Sequence, residues 1–175
     1  MLRPGAHVYH TFRSDNERYE VLARFVREGL ERHERVFYFA HRHPVSTVLA
    51  ALDIQGVEPG DYIESGALHL GSASESYLAG GRFDPEGSKR QWRRTIDEAC
   101  ASGYAAVRVA ADMSWALDGI PGSDRLLEYE AGLCHLFGTK LVTGMCEFDA
   151  RLFGSDFLRQ VDVVHHCHVA GASMV

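Results

Sequence analysis

Short apolar runs of strand length alternate along the chain with longer stretches in which apolar positions recur every three or four residues. Residues 36–40 (VFYFA), 105–111 and 141–148 are nearly continuous apolar runs between polar flanks. Such runs suit strands buried on both faces, as in a parallel sheet. Residues 7–12 and 67–71 are shorter strand candidates, and a last strand is predicted from about His166. Between them, Val21, Leu22, Phe25, Val26 and Leu30 mark one amphipathic helix, and Val45, Val48, Leu49 and Leu52 a second. Trp92, Ile96, Ala99 and Cys100 mark a third, and Leu126, Glu130, Leu133 and Phe137 a fourth.

The punctuation agrees. Ser14-Asp15-Asn16-Glu17 is a capping box at the start of the first helix. Pro44 and Asp84-Pro85 open the next two, Ser123 the fourth, and Ser155 a short helix before the last strand. No repeat, linker or low-complexity stretch divides the chain, so residues 1–175 are read as one domain. Strands alternating with helices predict an α/β fold, a three-layer sandwich around a mostly parallel sheet with RecA-like, P-loop-NTPase-like topology. Ligands in such sheets bind beyond the C-terminal strand ends. Those ends fall here at residues 10–13, 41–43, 112–115 and 146–149.

The loop after the first strand changes the functional picture. A phosphate-binding loop needs glycines for close backbone approach and a lysine for the phosphate charge. Residues 11–18 read TFRSDNER, with neither, so the Walker A motif is lacking. No GxGxxG, GxSxG, HExxH or CxxC occurs either, and a non-catalytic protein is expected, with a nucleotide-dependent enzyme the third choice. A net charge of −6 provides no positive field for nucleic acid or an anionic membrane. The basic run at 89–94 belongs to a predicted helix as its solvated face. No leader-like segment and no apolar run near ~18 residues appears, which suggests a cytoplasmic protein. Cysteines at 100, 134, 146 and 167 fit reduced thiols rather than a disulfide framework.

Four features carry candidate chemistry. Glu130 lies within an apolar helical stripe and must find a buried partner or hold a raised pKa. Arg108, the one charge in an apolar strand, is its expected partner, either as a structural pair or beside a ligand. Asp112, Met113 and Trp115 leave the fourth strand as an adaptable wall for a small organic ligand or as packing. Cys146, at the end of the fifth strand, is inert unless a cation lowers its pKa. In VVHHCHV (163–169) a strand period would put His166 and His168 on one face and His165 and Cys167 on the other. They cannot all bind one ion, so no metal is expected. The alternative joins His166 and His168 to Cys146, or to His7 or His10; His41 and His43 are another spaced pair.

Several of these pieces together resemble a MEDS domain, the methanogen/methylotroph sensory domain of the dichloromethane-responsive repressor type. They are Gly5-Ala6-His7-Val8, Ser14 to Arg18, Gly81-Arg82-Phe83-Asp84, Trp92, Val107-Arg108-Val109, residues 112–117 (DMSWAL), Leu127-Glu128-Tyr129-Glu130 and Met145 to Asp149. The resemblance implies RecA- or KaiC-like descent without a phosphate loop, and a sensor of hydrocarbon derivatives or other small organic molecules in signal transduction or transcriptional regulation. By position it implies His7, Trp115, Glu130 and Cys146 as ligand contacts, to which His10, Asp112 and Met113 are added from the strand ends. The sequence departs from the pattern at Ala6, where an acid is common, and in HHCHV, which lacks a usual His-Pro. No output domain lies within the 175 residues, so a signalling or regulatory protein partner is expected, with a homodimer left open and the cofactor unknown. The runner-up is a metal- or haem-linked redox sensor using Cys146 and histidines.

Overall fold

A computed structural model describes residues 2–138, 141–165, 167–170 and 173–174. The elements in chain order are β1 (His7–Phe12), α1 (Asp15–Glu31), β2 (Arg35–Ala40), α2 (Val45–Ile54), α3 (Gly60–Glu64) and β3 (Leu68–Ser72). They continue with α4 (Pro85–Ala101), β4 (Val107–Asp112), α5 (Leu126–Phe137), β5 (Val142–Asp149), α6 (Ser155–Val164), β6 (Cys167–Ala170) and β7 (Ser173–Met174). The strands form one sheet in the order β3-β2-β4-β5-β1-β6-β7. Every neighbouring pair is parallel except β6 and β7. The predicted α/β sandwich is what forms.

The apolar runs account for the sheet's depth. Every residue of β4 and of β5 is buried, because helices cover both faces. Alternation along the strands then sends successive side chains into two separate cores. Val8, Val36, Tyr38, Ala110 and Met145 pack with α1 and α2. Tyr9, Phe37, Val109, Ala111 and Cys146 pack with α4 and α5, alongside Val161 of α6. Half of the expected capping box forms at α1: the Ser14 hydroxyl accepts from the Glu17 N–H, but the Glu17 carboxylate reaches past the N-cap to the Arg13 N–H. Two local differences have plain causes. Residues 123–125 form a 3-10 turn before α5 starts at Leu126, and the turn-rich stretch before β3 winds into the short α3, which buries nothing.

Arg108 follows the alternation onto the α1 face. Its guanidinium donates to Glu34 at 2.6 Å and to the Phe25 carbonyl at 3.2 Å, and lies over the Phe25 ring. It does not meet Glu130, which belongs to the opposite layer. The expected pair is therefore wrong: residue parity in β4 fixes the face of Arg108, and helix periodicity alone could not reveal it.

Gly29 makes room for this side chain. A Cβ there would lie 2.7 Å from Arg108 Cδ and 2.8 Å from a Val36 methyl. Gly29→Ala favours the helix intrinsically by ~1 kcal/mol. The overpacking should nonetheless win, with a net loss of about 1–2 kcal/mol by urea denaturation. A stabilised variant would show that Arg108 moves aside without cost.

Candidate functional site

Besides the Arg108–Glu34 pair, two larger buried polar clusters among the described residues lie on opposite faces of the sheet. The first lies at the C-terminal ends of β4 and β5 beside the first turn of α1, where ligands of such parallel sheets bind. Arg18, one turn into α1, donates Nε–H to Glu147 Oε2 at 2.9 Å, lies 2.9 Å from Asp112 Oδ2, and donates to the Tyr38 hydroxyl at 2.6 Å. Tyr38 in turn donates to Glu147 at 2.9 Å. Ser114 donates both its N–H and its hydroxyl to Asp112 Oδ1, and the Arg42 N–H reaches Oδ2. All of Arg18, Tyr38, Asp112 and Glu147 are buried.

The charges explain the titration of this cluster. Burial alone would raise the Asp112 carboxyl, but Arg18 and the Ser114 donors hold it below the usual carboxylate range. Burial lifts Glu147, and the Asp112 charge adds to that lift against the pull of Arg18. One guanidinium thus bridges a pair of carboxylates at the strand ends. Asp15 and Glu17 add acids to the first turn of α1. A phosphate would meet acids where it needs amides and a lysine.

The second cluster is on the other face. The outward parity of β1 and β5 brings His7 and Cys146 beside Glu130, which α5 turns toward the sheet. His7 Nε2 lies 3.0 Å from Glu130 Oε2, and the Cys146 thiol donates to the same oxygen at 3.2 Å. His165 joins them, its Nε2 3.4 Å from Glu130 Oε2. Phe137 stacks on the His7 ring at 4.6 Å, and Tyr9 and Phe148 flank His165. Burial by itself would raise the Glu130 carboxyl; the facing His165 and His7 outweigh it and hold the group down at about 2. Burial and the Glu130 charge push the Cys146 thiol up, so it is a neutral donor in this arrangement.

Beside Cys146 a small, partly open cavity of about 20 Å³ runs over the middle of β4 and β5. Its walls include Tyr77, Trp92, Tyr129, Leu133 and Phe137. The floor is low because Gly144 has no side chain: a Cβ there would lie 2.4 Å from the Phe137 ring. Trp115 is fully buried and stacks on Tyr77 at 5.9 Å, so it supports the wall from behind.

The seven candidate ligand residues therefore divide. His7, Glu130 and Cys146 meet in one site. Asp112 pairs with Arg18 on the other face, where His10 is also buried, with its ring 5.7 Å from that of Phe12. Met113 and Trp115 are core residues behind the cavity. His166 and the side chain of His168 lie outside the described residues. His165 differs from expectation: it is the C-cap of α6 rather than a strand residue, so strand alternation does not govern it. Sequence reasoning also missed Arg18 and Glu147. Arg18 belongs to the buried stripe of Val21, Leu22 and Phe25, the same anomaly that singled out Glu130.

Fold and clusters together define a RecA-like α/β domain with a guanidinium bridging two carboxylates at the strand ends and a buried polar site elsewhere. A solved structure of a KaiC-like protein from the hyperthermophilic archaeon Pyrococcus horikoshii is similar, with a TM-score of 0.68 at 15% identity, covering 94% of this chain and 71% of that one. At that identity the likeness is one of fold. The chain belongs to the MEDS family, the methanogen/methylotroph, DcmR sensory domain, which matches residues 6–166. No curated protein matches the sequence. Among the described residues no helix is long and apolar enough to cross a membrane.

Proposed function

We propose that this MEDS domain senses a largely apolar organic molecule of a few heavy atoms, held in the cavity beside Cys146. The observation that carries the reading is the cavity itself, apolar on its walls and closed at one edge by the thiol that donates to Glu130. Its volume of about 20 Å³ suits one water-sized molecule. A larger ligand must displace Phe137 or Tyr77, and that displacement is a means of signalling. Phe137 is on α5 and stacks on His7 of β1, while Glu130 links α5 to His165 at the end of α6. Ligand entry would reset how α5 and α6 sit on the sheet. A regulatory protein in the cytoplasm would read the shifted population at their outer surface.

Thermal shift and native mass spectrometry with short alcohols, halomethanes and small ethers test this. A ligand at a hundred times its Kd stabilises by about 2.7 kcal/mol, roughly 5–10 °C for a chain of this size. Cys146→Ser and Glu130→Gln should shrink the response to the active compounds. A panel that leaves the melting curve unmoved overturns the reading.

A further inference from the structure

We infer that His7, Glu130, Cys146 and His165 form a tetrahedral site for a divalent zinc-class ion. Their donor atoms, His7 Nε2, Glu130 Oε2, Cys146 Sγ and His165 Nε2, all lie within 4.8 Å of one another. They come from β1, α5, β5 and the end of α6, so no local sequence spacing announces them.

The separations fit the ion. With zinc bonds near 2.0–2.1 Å to N or O and 2.3 Å to S, the edges of a ligand tetrahedron are about 3.3 Å, or about 3.6 Å at the sulfur. The contacts are 3.0 Å from Glu130 to His7, 3.4 Å to His165 and 3.2 Å to Cys146, with 3.6 Å between Cys146 and His7. These four of the six edges lie within a few tenths of an ångström of the ideal, and the remaining two, both at His165, are no longer than 4.8 Å.

The tautomer of His165 supplies an independent reason. Its Nδ1 lies 2.8 Å from the Val161 carbonyl, an oxygen that can only accept. Nδ1 therefore carries a proton, and in the neutral tautomer this leaves the lone pair of Nε2 aimed into the cluster. That nitrogen is buried and has no hydrogen-bond partner among the described residues. With protein groups alone that tautomer sets lone pair against lone pair at Glu130, and only a second ring proton would let Nε2 donate to the carboxylate. A cation between them removes the conflict. A ring N–H tied to a backbone carbonyl is also the usual outer support of a metal-binding histidine.

Charge selects the class of ion. A thiolate and a carboxylate with two neutral imidazoles carry −2, so a divalent cation makes the buried assembly neutral among Phe137, Tyr9 and Phe148. A mixed N, S and O set in tetrahedral array suits zinc rather than the all-oxygen shells of calcium or magnesium. Four protein ligands close the shell, so the ion would be structural, joining both helices to the sheet. Binding releases the Cys146 proton to solvent, with no change of oxidation state.

The experiment is a titration of chelator-stripped full chain with Zn²⁺, and with Co²⁺ as a spectroscopic stand-in. One ion per chain, a raised melting temperature and a cobalt spectrum with tetrahedral d–d bands and a thiolate charge-transfer band are expected. Cys146→Ser should abolish the charge-transfer band, and His165→Gln should weaken affinity by about 100-fold or more. A wild-type cobalt spectrum without a thiolate band overturns the inference, even if both variants misfold. So does binding that survives in both variants. The organic panel, run on stripped and loaded protein, separates this outcome from the ligand reading: stabilisation of the stripped chain keeps the sensor without the metal.

Discussion

Arg18→Met should destabilise the domain by about 3–5 kcal/mol at neutral pH, the usual cost of leaving a buried charge without its partner. The side chain that remains would still fill part of the space, so the loss is chiefly electrostatic. It strands Asp112 and Glu147 near each other with only the Tyr38, Ser114 and Arg42 backbone donors. In a domain with about 5–15 kcal/mol of total stability, that is a large fraction. Urea denaturation gives the number, and Asp112→Asn or Glu147→Gln in the Arg18→Met background should recover part of it. The pH dependence has a definite sign. In the wild type Asp112 is held below its unfolded pKa, so its contribution is present above about pH 4 and is lost as the pH falls further, while Glu147 already titrates above its unfolded value and contributes the opposite slope. Without Arg18 both carboxyls titrate above their unfolded values, and the variant gains stability as the pH falls from 7 toward 4. The gap between the two proteins should therefore narrow on acidification. A constant gap would mean that Arg18 acts through packing.

Arg18 also shows where sequence reading stops. The sandwich was legible because β2 is nearly a continuous apolar run, β4 and β5 are apolar apart from a few polar positions, and the longer helices carry apolar stripes. The phosphate loop was legible as a loss, from residues 11–18. Glu130 was legible as a carboxylate inside such a stripe, and Arg18 and Glu147 break apolar patterns in the same way. Their partners were not legible. Which charge meets which depends on strand parity and on which layer a helix joins, and both are properties of the assembled sheet. Arg108 was assigned to Glu130 for lack of that information. His165 was hidden by its neighbours, because the run of histidines and a cysteine reads as a strand while α6 continues to Val164. The site is thus assembled from four elements distant in sequence, and only its separate members could be guessed.

Phe137→Ala should cost about 3–5 kcal/mol, the range for emptying a buried phenyl position. The ring closes the cavity, rests over Gly144 and stacks on His7. Truncation joins its volume to the existing space, and aromatic or aliphatic neighbours line what is left. Engineered apolar cavities of comparable character bind benzene. Benzene or toluene should therefore stabilise Phe137→Ala and leave the wild type unmoved, while the smallest ligands of the wild type lose their fit. Differential scanning fluorimetry across a size series reads this as a change in the preferred ligand, separate from the overall loss. Gly144→Ala is the opposite perturbation. Its methyl would drive Phe137 toward the cavity, so the response to every ligand should fall at a stability cost of about 1–3 kcal/mol. If both variants keep the wild-type ligand order, the cavity is a packing defect and the sensed molecule binds elsewhere.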